Sequence, residues 1–380
     1  MTVDITPPAD LYNPVLPYRH KIGNSYKLTF PLCRKCVEIE TQKENMLERD
    51  YHCPHSDEER MLRGTWCTPE INKAIEKGYR LVRIHEVWDF PQRRKGLFQP
   101  YVDTWLKIKQ ESGGYPNWVR TDTQKEKYIH CYEEKEGIRL DPTKIVKNPG
   151  RKATAKLMLN SFWGKFGQQN NKSKTKQCTQ PYELLDLLDD PLFTVTDIRI
   201  LNSEVIEVSY KRDEQDPYKG SNTNIFIAAF TTCLARLKLY ESLEKLGERV
   251  LYYDTDSVIY TWKLGQTEIE LGDYLGDMTN EHDNGNFIVE FISAGAKNYG
   301  YRTKNGKVVC KVKGFSLNVR GAKQLNYDIT RQNILDEILH LLDERRKTMV
   351  VNPTLFVRNP TLKKIKTEAQ TKSYQLVFDK

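Results

Sequence analysis

Residues 251–260, LYYDTDSVIY, constrain the fold of this chain more than any other part of its sequence. β-Branched and aromatic residues lead into the polar tetrapeptide DTDS and continue after it, which is the pattern of a β-hairpin with an acidic turn. Side chains two residues apart on an extended chain point to the same side. Asp254 and Asp256 are therefore predicted to face one cation, since hard divalent ions such as Mg²⁺ prefer carboxylate oxygens.

Two other interpretations of this acidic pair remain open. Asp and Ser are ordinary turn residues, so the same tetrapeptide fits a tight turn without any chemical role. An Asp-x-Asp pair is also compatible with a metal-dependent nucleotide-sugar transferase.

The order of the remaining segments indicates an α+β fold, because helical and extended patterns mix without strict alternation. The strongest helices are predicted at 151–166 and 224–247. Two polar stretches are predicted to be insertions: 111–150, which contains several Gly and Pro residues, is expected to be loop-rich, and 168–220 is expected to hold short strands. Further helices are expected at 97–109 and 333–349, and strands at 80–90, 193–200, 205–210, 287–292, 299–303 and 308–313.

The composition narrows the classes of function. Lys and Arg number 59 against 51 Asp and Glu, and the net charge of +8 is compatible with a polyanionic partner without proving one. Apolar runs such as 225–230 are far shorter than the ~18 residues of a membrane span. The first ten residues lack the basic and apolar parts of a signal peptide. We therefore expect an intracellular protein without a membrane partner, whose eight cysteines are reduced thiols or metal ligands.

The helix predicted at 151–166 has a basic face. Lys152, Lys156 and Asn160 are spaced i, i+4, i+8, and Trp163 and Gly164 follow one turn later. Two ammonium groups stacked in this way suit a triphosphate, and a glycine allows a substrate or another backbone to come close. The alternative is a solvated basic face on a core helix.

Three short motifs resemble those of family B DNA polymerases. KLMLNSFWG at 156–164 resembles the family's K-x-x-x-N-S-x-Y-G, YYDTDS at 252–257 resembles its Y-x-D-T-D-S, and KNY at 297–299 resembles its K-x-Y. The order and spacing of the motifs are similar to the protein-primed branch, which includes phage and linear-plasmid polymerases. The whole chain, with its cysteine region and the sequence GTWCTPE, is similar to the polymerases of Polinton (Maverick) transposons and related viruses.

The resemblance implies a polymerase right-hand fold with palm, fingers and a partial thumb, incomplete on the N-terminal side. Residues 1–110 would connect palm to fingers and hold the cysteine cluster, and 111–167 would be an insertion with the fingers helix. Residues 168–223 would be a second insertion, 224–315 the palm with the DTD hairpin and the K-x-Y segment, and 316–380 a thumb-like region.

The resemblance also implies a reaction. The chain would add deoxynucleotides to a primer 3′ end, with primer-template DNA and deoxynucleoside triphosphates as substrates and two Mg²⁺ ions as cofactors. In the protein-primed branch a terminal priming protein is a further partner, and the nucleus or a viral replication site is the expected location.

Individual roles carry over to the matching positions. Asp256 would bind the metal ions directly, with Asp254 supporting the site. Lys156 would hold the incoming triphosphate with help from Lys152. Asn160, Trp163 and Gly164 would border the nascent base pair. Lys297 and Tyr299 would hold the primer terminus, Thr232 and Arg236 would contact the primer strand, and Lys165 would be a further DNA contact.

The sequence departs from the family pattern in two ways. Trp163 stands where the family usually has tyrosine, so the ring is kept and its hydroxyl is lost. The first palm motif, D-x-x-S-L-Y-P-S, and the exonuclease motifs do not occur in these 380 residues. We therefore expect a polymerase fragment of doubtful activity, and the alternative is an inactive remnant that at most binds DNA.

A group of cysteines near the N-terminus offers ligands at zinc-like spacing. Cys33 and Cys36 form a C-x2-C pair, and Cys53, His55 and Cys67 follow. Two interpretations remain open: scattered reduced thiols, and a structural zinc site of Cys33, Cys36, Cys53 and Cys67.

Overall fold

The structure is a computed structural model that describes residues 1–22, 25–39, 53–92, 94–168, 172–212, 223–282, 285–315, 319–338, 348–351, 354–359, 364–369 and 371–375. The chain divides into two compact units. The first comprises Met1–Gln168 and Asn222–Asn280, and the second comprises Gln169–Ser221 and Glu281–Asp379. The boundary after Asn280 falls inside the segment 224–315, which the sequence predicts to be one region.

The secondary structure is mixed, as an α+β fold requires. The helices are α1 (Arg34–Ile39), α2 (Asp57–Arg60), α3 (Thr68–Glu76), α4 (Gln99–Glu111), α5 (Asp122–Glu136), α6 (Pro149–Phe166), α7 (Pro181–Asp189), α8 (Ile225–Leu246), α9 (Val319–Gln324) and α10 (Tyr327–Ile338). The strands are β1 (Thr2–Thr6), β2 (Tyr18–Ile22), β3 (Ser25–Thr29), β4 (Leu62–Thr65), β5 (Arg80–Glu86), β6 (Lys174–Cys178), β7 (Phe193–Ile200), β8 (Ile206–Arg212), β9 (Val250–Asp254), β10 (Ser257–Tyr260), β11 (Ile288–Ser293), β12 (Tyr299–Thr303), β13 (Val308–Lys311), β14 (Thr348–Val351), β15 (Thr354–Asn359), β16 (Lys364–Ala369) and β17 (Lys372–Gln375).

The first unit has a core around an antiparallel sheet of order β4-β1-β5. Val3 and Ile5 of β1 are fully buried and pack in one cluster with α3 and with Tyr240 and Leu243 of α8. The Tyr240 hydroxyl also donates a hydrogen bond to the Asn13 carbonyl at 2.7 Å. The long helix α8 is thereby attached to the N-terminal sheet.

Helix α8 has clear signals at both ends. The Asn224 side chain accepts a hydrogen bond from the backbone N–H of Ile227 at 3.1 Å, and Gly247 ends the helix with a φ of 55°. Asn at the N-cap and Gly after the last turn are favoured for these reasons. The prediction of a helix over 224–247 is confirmed.

A second core joins α4, α5 and α6, and it corrects the prediction that 111–150 is loop-rich. Tyr128, Ile129 and Tyr132 of α5 are buried in it beside Leu106 of α4. The 15-residue helix α5 begins with a reciprocal capping box between Thr121 and Gln124, and left-handed Gly137 ends it. The polar composition hid the helix because only one narrow face is apolar.

The second unit contains two three-stranded antiparallel sheets, of order β6-β8-β7 and β11-β12-β13. Helix α7 packs on the first sheet through Leu187, and α10 contacts the second. The predicted helix over 333–349 is wrong at its C-terminal end, since Thr348–Val351 forms strand β14 and pairs with β17. In the described parts of the chain, no helix is both long and apolar enough to cross a membrane.

Candidate functional site

The predicted hairpin is present, with β9 and β10 paired antiparallel and Asp254 opposite Ser257. Thr255 and Asp256 form the two-residue turn between the strands. Asp254 is half-buried and Asp256 is exposed, so at least one carboxylate at the tip is open to solvent.

The turn itself is strained. Thr255 has a φ of 55°, which is unfavourable for a β-branched residue by about 1–2 kcal/mol. The N–H of Asp256 donates to the Asp254 carbonyl at 2.6 Å, which makes a three-residue γ-turn centred on Thr255. The Thr255 hydroxyl donates to Asp254 Oδ1 at 3.0 Å, and the Ser257 hydroxyl donates to the Asp254 carbonyl at 3.1 Å. The assumption of an extended backbone through 254–256 is therefore wrong, and the turn sets the directions of the two carboxylates.

Helix α6 carries the predicted basic face on an exposed surface. Lys152, Lys156 and Asn160 are exposed, and so is Trp163, with 41% of its surface accessible. A Cβ on Gly164 meets nothing within 4 Å among the described residues. The face is therefore open to a ligand along its length.

The other face of α6 packs against α4. The rings of Tyr101 and Phe162 stack with centroids 4.4 Å apart, and the Tyr101 hydroxyl donates to the Met158 carbonyl at 3.1 Å. Phe98 contacts both Phe162 and Phe166. Lys165, on the exposed surface, donates to the side chain of Gln168 at 2.7 Å.

Lys109 of α4 is a third lysine beside Lys152 and Lys156, because α4 packs on α6. It was not predicted from the sequence. Burial lowers the pKa of Lys109, and the positive charges of Lys156 and Lys152 lower it further. A Cβ on Gly113, just after α4, would lie 3.6 Å from Lys152 Nζ. Lys109, Lys152 and Lys156, which we call the lysine cluster, concentrate positive charge at one place. A bound polyanion would relieve their mutual repulsion.

Thr232 and Arg236 lie on α8 and have partners within the protein. The Thr232 hydroxyl donates to the Ala229 carbonyl at 2.9 Å. Arg236 donates to Glu70 Oε1 from Nε at 2.8 Å and from Nη2 at 2.5 Å, and Glu70 is only 2% exposed. A buried carboxylate requires such a partner. Arg236 thus has a structural role, and its contact with DNA stays a prediction.

The K-x-Y segment belongs to the second unit. Lys297 lies between β11 and β12 with a φ of 58°, and Tyr299 begins β12 opposite Ser293 and Lys311. Among the described residues, Thr255 and Lys297 are the non-glycine residues with positive φ. Both lie in predicted motifs. Backbone strain of this kind concentrates at functional sites, because ordinary selection for stability removes it elsewhere.

Three of the four candidate zinc ligands lie together in the structure, and His55 takes the place of the fourth, Cys67. Cys33, Cys36, Cys53 and His55 have donor atoms that all lie within 4.8 Å of one another, a group that we call the knuckle cluster. Burial raises the pKa of the Cys33 thiol to about 12. Cys67 does not join this group.

Cys67 lies instead beside Cys233 of α8 and Glu70 of α3. Burial raises the pKa of both thiols, that of Cys233 to about 12. The nearby carboxylate of Glu70 is already bonded to Arg236. This group is a packed interior contact between α3 and α8.

Comparison with known proteins gives a distant relative. No protein-family model matches the chain, and no solved structure matches it. The chain is 24% identical over 304 residues to a protein of Neurospora intermedia named "Probable DNA polymerase". The match covers 79% of this chain and 26% of the relative, so the chain spans about a quarter of that protein's length. The chain is thus similar, over most of its length, to a part of a probable DNA polymerase.

Proposed function

We propose that this chain is the nucleotide-adding region of a DNA-directed DNA polymerase of the protein-primed family B branch, with a right-hand fold. The observation that carries the proposal is the hairpin in which Asp254 and Asp256 flank the strained Thr255. A tight turn without a role would be expected to have Gly or Asn at the position with positive φ. The name of the distant relative supports the same activity.

The two carboxylates fit Mg²⁺ by their chemistry. Mg²⁺ is commonly bound by one or two carboxylates and completes its coordination with water and substrate phosphates. Asp256, exposed at the tip, would be the direct ligand, and Asp254, held by the Thr255 hydroxyl, would support it. The metal, when bound, would stabilise negative charge on the phosphates during phosphoryl transfer.

The lysine cluster suits the triphosphate of an incoming nucleotide. Three ammonium groups on α4 and α6 offer the charge that a triphosphate needs, and the exposed face continues to Asn160 and Trp163. An exposed indole offers a surface on which a base can stack. Lys152, Lys156 and Lys109 would bind the phosphates, while Asn160, Trp163 and Gly164 would border the base.

The primer terminus would be held by Lys297 and Tyr299. The strained backbone at Lys297 supports a role for this residue beyond packing. Thr232, Arg236 and Lys165 would contribute to DNA binding, Arg236 through the exposed third of its side chain. Such contacts to phosphates predict binding that weakens as the salt concentration rises.

The rate of primer extension by the natural protein, compared with that of its variants, tests the proposal. Asp256→Asn removes one negative charge and keeps the size of the side chain. Loss of a metal-binding carboxylate costs several kcal/mol of transition-state stabilisation, so extension is expected to fall by about 100-fold or more. Asp273→Asn is the matched control, because Asp273 is exposed and lies outside the hairpin, and it is expected to leave extension unchanged.

Two outcomes would contradict the proposal. Equal extension by Asp256→Asn and the natural protein would show that the hairpin is not the metal site. Salt-sensitive binding of primer-template DNA without any nucleotide addition would support the inactive, DNA-binding remnant instead.

A further inference from the structure

The knuckle cluster has a geometry that hydrogen bonding alone does not explain. Nδ1 of His55 lies 3.4 Å from Cys33 Sγ, 3.3 Å from Cys36 Sγ and 3.4 Å from Cys53 Sγ. One ring nitrogen carries either one proton or one lone pair, so it can satisfy only one sulfur. Together with the separation of all four donor atoms, which lie within 4.8 Å of one another, these nearly equal distances are those of ligands arranged around a common centre.

These distances are close to the edges of a tetrahedron around zinc. With Zn–S bonds of about 2.3 Å and a Zn–N bond of about 2.0 Å, adjacent nitrogen and sulfur ligands are about 3.5 Å apart and adjacent sulfurs about 3.8 Å apart. The sulfurs of Cys36 and Cys53 are 3.5 Å apart. The observed spacing therefore leaves room for a zinc ion at the centre with only small adjustments.

The local backbone also suits a metal-bound thiolate. Helix α1 begins directly after Cys33, and the N–H of Cys36 donates to Cys33 Sγ at 3.4 Å. A backbone donor directed at a sulfur stabilises negative charge on it. Cys33 is buried, and the other three residues are half-buried. A soft, four-ligand site of three sulfurs and one imidazole is typical of structural zinc.

We propose that Cys33, Cys36, Cys53 and His55 bind one structural zinc ion, in the pattern C-x2-C-x16-C-x-H. The ion would tie α1 to the segment that leads into α2, across the residues between Cys36 and Cys53. A structural zinc ion contributes its binding free energy to folding. The site is independent of the proposed polymerase activity.

The zinc site would be anchored to the core of the first unit. Ser56, the residue after His55, caps α2 together with Glu59. Arg60 of α2 donates hydrogen bonds to the carbonyls of Pro7 and Pro8, which follow β1. Zinc would therefore stabilise the N-terminal sheet through α2.

The group of Cys67, Cys233 and Glu70 is the internal comparison. It also brings donor atoms within 4.8 Å of one another, but it has three donors and the guanidinium of Arg236 is bonded to its carboxylate. A cation in that place repels a metal ion. Cys67→Ser is consequently a matched control, because it removes a thiol without touching the knuckle cluster.

The zinc content of the full chain, purified without chelators, tests the proposal. We expect about one zinc ion per chain, and below about 0.2 in Cys36→Ser and Cys53→Ser. Cys67→Ser is expected to keep the full amount. Because a serine variant can fail to fold, His55→Cys is the second variant: it is expected to retain the metal in a site of four sulfurs.

Cobalt replacement gives a second measurement on the same proteins. Co²⁺ in the natural chain should give the absorption of a tetrahedral, thiolate-bound ion, and His55→Cys should change that spectrum while the metal stays bound. Less than about 0.2 zinc ion per chain together with no such cobalt spectrum would overturn the proposal. So would equal zinc loss in Cys67→Ser, or a Cys36–Cys53 disulfide in the chain as purified. None of these measurements depends on polymerase activity.

Discussion

Replacing Arg236 with alanine separates a structural role from a role in DNA binding. Glu70 is 2% exposed, and Arg236 donates two hydrogen bonds to one of its carboxylate oxygens. The substitution leaves a negative charge in the interior between α3 and α8. We expect Arg236→Ala to destabilise the first unit, whatever it does to the affinity for DNA.

The size of the effect follows from the burial of the two partners. Removing one member of a buried ion pair costs about 3–5 kcal/mol, because the other charge remains unpaired. The Arg236 side chain is 34% exposed, so water can partly replace it, and we expect about 2–3 kcal/mol. With a urea dependence of about 2–3 kcal/mol per M, the midpoint of unfolding falls by about 1 M.

Tryptophan fluorescence during urea unfolding measures this change in the right unit. All six tryptophans of the chain lie in the first unit, and Trp66 is buried in the same core as α3. Arg139→Ala is the matched control, because Arg139 pairs with Glu133 at 3.0 Å on the surface. Surface pairs contribute about 0–1 kcal/mol, so its midpoint should fall by at most about 0.5 M.

A second variant tests the cause of the loss. Combining Arg236→Ala with Glu70→Gln removes the unpaired charge, and we expect the double variant to be more stable than Arg236→Ala alone. The reasoning is refuted by a midpoint for Arg236→Ala no lower than that of Arg139→Ala. It is equally refuted by a double variant that recovers no stability.

Two further predictions concern the second unit, and amide hydrogen exchange of β11–β13 measures both. Gly300→Ala places a Cβ 2.8 Å from a ring carbon of the buried Tyr327. The free energy of opening measured by exchange is therefore expected to fall by about 1–3 kcal/mol. An unchanged free energy of opening would contradict the crowding. A hydrogen bond from Arg331 lowers the pKa of Glu290 below its usual value of 4.5. The ionised carboxylate therefore stabilises the folded state above pH 4.5, and this contribution is lost as the pH falls through the lowered pKa. Glu290→Gln should therefore make the exchange protection less dependent on pH below about 4.5. An unaltered pH dependence would show that the Glu290–Arg331 pair does not contribute to stability.

Elements with strong local signals could be predicted from the sequence. The hairpin at 251–260 and the helix at 224–247 were expected within one or two residues, because turn residues and caps act on the backbone next to them. The helix α5 was missed. Its capping box and Gly137 were readable, but its polar composition outweighed them.

The candidate site was predicted only in part, for a physical reason. The residues of the hairpin and of α6 belong to short motifs, so their chemistry is visible in the sequence. The strain at Thr255 is not, since it depends on how two strands meet in a two-residue turn. Lys109 is 43 residues from Lys152, and nothing local associates the two.

The sequence by itself determined where the elements with strong local signals begin and end, such as α8 and the β9–β10 hairpin, and which residues carry carboxylate, ammonium and thiol groups. The tertiary structure decided which of these groups contact one another. Lys109 lies beside Lys152 and Lys156, and Arg236 donates hydrogen bonds to Glu70. The tertiary structure also placed His55, and not Cys67, beside Cys33, Cys36 and Cys53. Backbone preferences extend over a few residues, whereas partners distant in sequence are selected by how the cores pack.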